Sequence, residues 1–169
     1  MLVSSWLVSW YHIEMGSLAG ENELATDRLS QNRRTRVLLL AGSPTSLYYY
    51  RLSLDWAIGC DEANKEANKD KYTFLYAVID PDGPAWCFPN ELTDDAIGKA
   101  IKMSPAAGVA MLTQMLPDAC VSHLCCYTGM VSYLSLVENI CNIPLVGSNG
   151  TSMTLSVNKA LARSKSDTD

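Results

Sequence analysis

Four short apolar runs constrain this chain more than any other feature. They are residues 36–41 (Arg-Val-Leu-Leu-Leu-Ala), 72–79 (Tyr-Thr-Phe-Leu-Tyr-Ala-Val-Ile), 119–122 (Ala-Cys-Val-Ser) and 143–146 (Ile-Pro-Leu-Val). Each is too short for a helix and apolar throughout rather than alternating, the pattern of strands buried on both faces. Between them lie segments with helical spacing: Leu47, Tyr50, Leu54, Ile58; Ala96, Ile97, Ala100, Ile101; Val109, Leu112, Leu116; and Val131, Leu134, Val137, Cys141. Strands alternating with helices in this way predict an α/β fold, a mainly parallel open sheet with helices on both faces.

Local punctuation supports these elements. Ser46 and Thr93 are placed to cap helices, and Pro105 opens one at a position where its missing N–H costs nothing. Asp80-Pro81-Asp82-Gly83 is a tight turn, from which residues 85–88 return as an edge hairpin strand. The repeat Glu62-Ala63-Asn64-Lys65, Glu66-Ala67-Asn68-Lys69 reads as a solvated helix end, with Asp61 paired to Lys65 and Glu66 to Lys69. A final helix is expected over residues 151–163, and 164–169 is a polar end. Residues 1–34 fall outside this pattern. Their apolar start lacks the basic flank and cleavage site of a signal peptide, and 16–32 is polar and aperiodic, so they are read as a disordered or extraneous tail. The domain is therefore expected over 35–163.

Composition narrows the function. The 169 residues suffice for one domain with a real core, and 48% hydrophobic against 18% charged is an ordinary globular balance. A net charge of −5 speaks against a nucleic-acid surface, and Arg33, Arg34 and Arg36 read as a solvated lead-in to the first strand. No apolar run approaches the ~18 residues of a membrane span. Six cysteines sit within apolar patterns and read as free thiols in a reducing compartment. His123-Leu124-Cys125-Cys126 has no second ligand pair, so no metal site is expected.

Three loops that follow strands carry the polar chemistry: 42–47, 123–130 and 147–151. In an open parallel sheet all three belong to the carboxyl edge, where ligands bind. Gly42 and Gly147 permit close backbone approach. His123 ends an apolar run, where an imidazole orients ligands or shuttles protons, or is simply buried or capped. Ser46, Ser148 and Thr151 are ligand-binding or helix-capping hydroxyls, and Lys159 lies within the last expected helix. No nucleophile elbow, Walker loop or dinucleotide fingerprint is present.

Over roughly 35–163 these residues resemble the N-terminal, pre-ATP-grasp (Rossmann-like) domain of D-alanine–D-alanine ligases. The resemblance is most specific in Ile143-Pro144-Leu145-Val146-Gly147-Ser148 and in the following helix with Val157-Asn158-Lys159, where the family carries an acid before the lysine. It implies a reaction in which ATP phosphorylates the carboxylate of one D-alanine and the amine of a second displaces the phosphate, giving a dipeptide for peptidoglycan. By position it implies His123 as the catalytic-loop histidine, Lys159 as the nucleotide-binding lysine, and Ser46, Gly129 and Ser148 as substrate-loop residues. It also implies ATP and magnesium as cofactors of the full-length family, a D-alanine-like amino acid as partner, a cytoplasmic setting and a homodimer built through this domain.

Two departures are specific. Ser46 stands where the family places a glutamate that holds the substrate ammonium. Leu124-Cys125-Cys126-Tyr127-Thr128-Gly129 replaces a loop with further glycines and two carboxylates. The ATP-grasp domains would follow Lys159, so the expectation is a divergent branch truncated before them and inactive alone. The alternative is a stand-alone, non-catalytic module that binds a small ligand or a partner.

Overall fold

The computed structural model describes residues 33–83 and 85–158. The expectations for residues 1–32, for Lys159 and for 160–169 lie outside the described residues, and the last helix, expected over 151–163, stops at Val157 with Asn158 extended as its C-cap.

Five strands form one sheet in the order β3-β2-β1-β4-β5. They are β1 (Thr35–Gly42), β2 (Tyr72–Ile79), β3 (Trp86–Cys87), β4 (Ala119–Ser122) and β5 (Leu145–Val146). β1 pairs in parallel with β2, from Thr35 opposite Tyr72 to Gly42 opposite Ile79, and with β4, from Val37 opposite Ala119 to Leu40 opposite Ser122. β5 is parallel to β4, and β3 is the antiparallel edge strand. Asp118 locks the lower end of the β1–β4 pair: its carboxylate accepts from Arg36 N–H at 2.7 Å, and its own N–H donates to Arg36 O at 2.8 Å.

The helices are α1 (Leu47–Lys65), α2 (Asp94–Lys99), α3 (Pro105–Met115), α4 (Leu134–Asn139), entered through a π-helical segment (Gly129–Tyr133), and α5 (Gly150–Val157). The caps fall where the sequence places them. Ser46 and Thr93 accept from the backbone N–H three residues on and Pro105 lies in the first turn of α3, while Ser104, which sequence reasoning misses, caps α3 in the same way. Both anticipated ion pairs form, Lys65–Asp61 at 3.8 Å in the last turns of α1 and Lys69–Glu66 at 3.5 Å in the turn that follows it.

Alternation along the buried strands divides the core in two. Leu38, Leu40, Ile79 and Cys120 face Leu112 of α3 and Leu134 and Val137 of α4. Leu39, Ala41, Tyr76 and Val78 face Leu54 and Ala57 of α1, with Ile97 of α2 packed beside them. Helices thus cover both faces of a mostly parallel sheet.

Four residues expected on inward helix faces are placed otherwise. Leu47, the first residue of α1, is 60% exposed. Ile101 is 76% exposed, because α2 stops at Lys99 and the chain leaves extended toward the Trp86–Met103 bridge. Leu116 is 65% exposed in a left-handed cap at φ 45°, since Pro117 blocks continuation of α3. Val131 is half-buried, because the π turn shifts the phase of the helix that follows. The last strand is also shorter than expected, with only Leu145 and Val146 on the ladder. The six cysteines are free thiols, Cys87, Cys120 and Cys126 buried and the others half-buried.

Candidate functional site

β1 ends at Gly42, whose φ of +98° suits glycine and where a Cβ would collide with the backbone of Ile79. Gly42 N–H donates to the buried Ser53 hydroxyl of α1 at 2.9 Å, and Ser43 N–H donates to Ile79 O at 3.1 Å. Ser43 is wholly buried. Its hydroxyl oxygen accepts from Thr45 N–H at 3.2 Å and meets Thr45 Oγ1 at 3.1 Å. Ser46 accepts from Tyr49 N–H at 3.3 Å, so its lone pair serves the cap of α1. Sequence reasoning misses both Ser43 and Ser53. The readable signal for Ser53 is a small polar residue on the stripe that α1 buries with Leu54, Ala57 and Asp61.

β4 ends at Ser122, and the ladder runs one bond further, His123 N–H donating to Leu40 O at 2.8 Å. His123 is half-buried, and its Nε2 is buried with no hydrogen-bond partner among the described residues. Burial holds its pKa below the ordinary 6.5, so the ring is neutral at pH 7. The next residues turn inward. Leu124 and Cys126 are buried, and Cys126 Sγ accepts from Gly129 N–H at 3.2 Å. A Cβ on Gly129 would lie 2.9 Å from that sulfur, so this glycine is a packing position at the mouth of the π segment. The Cys125 thiol reaches Tyr49 O at 3.7 Å, bringing this loop to the start of α1.

β5 is followed by Gly147, with φ +110° and open space where a Cβ would sit. Asn149 caps α5, accepting from Ser152 N–H at 2.8 Å. Gly150 N–H donates to the Glu138 carboxylate of α4 at 3.1 Å, and Gly150 lies so close to Ser135 that a Cβ would be 2.5 Å from its hydroxyl. These contacts hold α5 against α4. A cleft of about 240 Å³ opens between them, lined by Ser122, Leu124, Leu134, Leu145, Ser148 and Met153 among others.

β1, β4 and β5 are parallel neighbours, so the three loops share one edge. β1 sits at the point where the strand order reverses, the place where open α/β sheets form ligand crevices. The side chains do not all converge, however. Continued alternation puts His123 on the Val121 side of the sheet, toward α1, whereas Ser122 and Ser148 line the cleft on the α4–α5 side. Ser46 and Gly129 are engaged in capping and packing, and Lys159 lies outside the described residues.

Asp80, one residue past β2, is a nearly buried carboxylate on the same edge. It forms an ion pair with Lys102 and accepts from Asp82 N–H at 2.9 Å. Burial works against its ionisation, but the Lys102 ammonium and that N–H outweigh it and hold the pKa below the usual 3.8. Among the described residues no group of three His, Cys, Asp or Glu could hold a metal ion, and the Asp80 carboxylate is engaged by Lys102. Nor is any helix among the described residues long and apolar enough to cross a membrane.

No family model and no curated protein matches the chain in sequence. Solved structures do match in fold. The D-alanine–D-alanine ligase from Coxiella burnetii superposes with a TM-score of 0.58 at 16% identity, over 78% of this chain and 40% of that one. The D-alanyl-alanine synthetase A from Vibrio cholerae O1 biovar eltor gives 0.54 at 17%, over 80% and 37%. The VanG D-Ala:D-Ser ligase from Enterococcus faecalis gives 0.55 at 13%, over 78% and 41%. The chain spans about two fifths of the length of these ligases, and its fold is that of their N-terminal domain.

Proposed function

We propose that this chain, which carries the fold of the N-terminal domain of D-alanine–D-alanine ligases, supplies the amino-acid-facing wall of an ATP-dependent carboxylate–amine ligase. It has no ligase activity by itself. The observation that carries this reading is the meeting of the three loops after β1, β4 and β5 on one carboxyl edge at the reversal point of the sheet.

Within that wall each residue has a limited task. His123, neutral and half-buried, can take or give a proton through Nε2. Ser148 offers a hydroxyl beside an unobstructed backbone at Gly147. Ser46 and Gly129 shape the neighbouring loops. ATP and magnesium, where bound, would activate the carboxylate by phosphorylation. Lys159 is the nucleotide-side residue of the proposal. A cytoplasmic homodimer belongs to the same reading.

The alternative, a binding module without catalysis, draws on one observation. Where a carboxylate would grip a substrate ammonium there is Ser46, and its hydroxyl oxygen caps α1. Two measurements on the purified chain decide. Incubation with ATP, magnesium and D-alanine is expected to release no ADP above background. Amide NMR with D-alanine is expected to perturb residues 42–47, 123–130 and 147–151. Substrate-dependent ADP release overturns the proposed incompetence, and unperturbed loops overturn the amino-acid wall.

A further inference from the structure

The cleft at the ends of β4 and β5 carries information about the substrate. Its apolar floor is Leu124, Leu134, Leu145, Val146 and Met153, and its polar side chains are the hydroxyls of Ser122 and Ser148, with the backbone of Gly147 beside them. The lining contains no charged side chain. Ser122 Oγ accepts from Leu124 N–H at 3.2 Å, which leaves the hydroxyl proton to donate elsewhere. Its volume of about 240 Å³ lies below the ~300–1,000 Å³ of drug-sized sites yet is several times the ~30 Å³ share of one water.

From this we infer that the cleft is a side-chain pocket for an amino acid larger than alanine, one with a neutral, branched aliphatic side chain. The inference rests on the amino-acid-wall reading above and adds the substrate class to it. A methyl group would leave most of the cleft unfilled and forgo contacts with most of the five apolar floor residues. A carboxylate or ammonium would be stripped of water beside Leu and Met side chains with no opposite charge to meet it. A four-carbon branched side chain covers the floor, and the two serine hydroxyls face the more polar end of the ligand. Gly147, with nothing near its missing Cβ, keeps the mouth open.

The test is a titration of the full chain, followed by amide NMR at residues 122, 145, 147 and 148, with D-leucine, D-alanine, D-aspartate and 3-methyl-1-butanol as probes. D-leucine is expected to bind at least about tenfold more tightly than D-alanine, following the 10–200-fold that hydrophobic pockets gain from added methylenes. D-aspartate is expected not to bind, and 3-methyl-1-butanol is expected to bind the cleft without the amino-acid groups. Met153→Trp, which fills the floor from α5, should abolish the D-leucine preference. Ser148→Trp at the rim should do the same if the first variant does not fold.

D-alanine binding as tightly as D-leucine overturns the pocket, as does a folded Met153→Trp chain with undiminished preference. Binding of the alcohol with no amino acid bound leaves the cleft standing and overturns the amino-acid wall. Binding of D-alanine alone, at residues 42–47 or 123–130, does the reverse, and no binding by any probe overturns both.

Discussion

The hydroxyl of Tyr76 on β2 donates to Oδ1 of Asp61 on α1 at 2.8 Å, and both side chains are buried. Lys65 stands 3.8 Å from the other carboxylate oxygen. This bond crosses from a strand to the helix that covers it, near the opposite end of α1 from the candidate edge, and so fixes the far end of the helix. Burial and the Asp61 carboxylate both push the Tyr76 phenol pKa upward, keeping the donor protonated.

Tyr76→Phe is therefore expected to destabilise the fold by about 1–3 kcal/mol, since a buried charged acceptor loses its donor. Asp61→Ala should cost a similar amount, and the double variant less than the sum of the two. Urea denaturation of the four proteins measures the coupling. Strict additivity would show that the bond contributes nothing.

Two glycines on the candidate edge share a positive φ but differ in surroundings. Gly42→Ala is expected to cost about 2–5 kcal/mol, from a strained backbone (about 1–2) and a collision with Ile79 (about 1–3). Gly147→Ala has only the backbone cost, about 1–2 kcal/mol, because the space beside it is open. Equal losses in the two variants would contradict the close approach of β1 to β2 at Gly42.

Stability should fall in two separate windows as pH drops. His123 has a folded pKa depressed below 6.5, so the stability it protects is fully present above 6.5 and is lost as pH falls below that value. Asp80 is depressed below 3.8, so its contribution is present above 3.8 and is lost as pH falls through its lower folded value. His123→Gln should remove the first decline and leave the second. Matching pH profiles for the variant and the unmodified chain, from pH 7.5 to 5, would refute the role given to the buried imidazole.

Ser46 and Ser148 are chemically alike but should behave differently. Ser46→Ala removes the cap of α1 and is expected to cost about 1 kcal/mol. Ser148→Ala lies on an exposed loop and should change stability by less than about 0.5 kcal/mol, while weakening any ligand that reaches the cleft. Thermal melts and the probe titration together separate a capping hydroxyl from a binding one.

Much of the fold is legible in the sequence. Continuous apolar runs mark the strands, and Ser46, Thr93 and Pro105 mark helix starts, because caps and φ preferences act within a few residues. The pair Asp61–Lys65 follows from helix geometry, and Glu66–Lys69 forms at the expected spacing in the turn after α1. That the loops after β1, β4 and β5 belong to one edge follows from strand–helix alternation, which makes neighbouring strands parallel.

The division of the site is decided only in three dimensions. In strands covered on both faces there is no polar alternation to read, so nothing local says on which side a residue falls. The pairing register places Ser122 on the α4–α5 side and His123 on the α1 side. The ion pair of Asp80 with Lys102 likewise joins segments apart in sequence. The sequence by itself determined which loops line the candidate edge. The tertiary structure decided which of their side chains face the same space, because that depends on register and packing across the sheet rather than on the residues of any one loop.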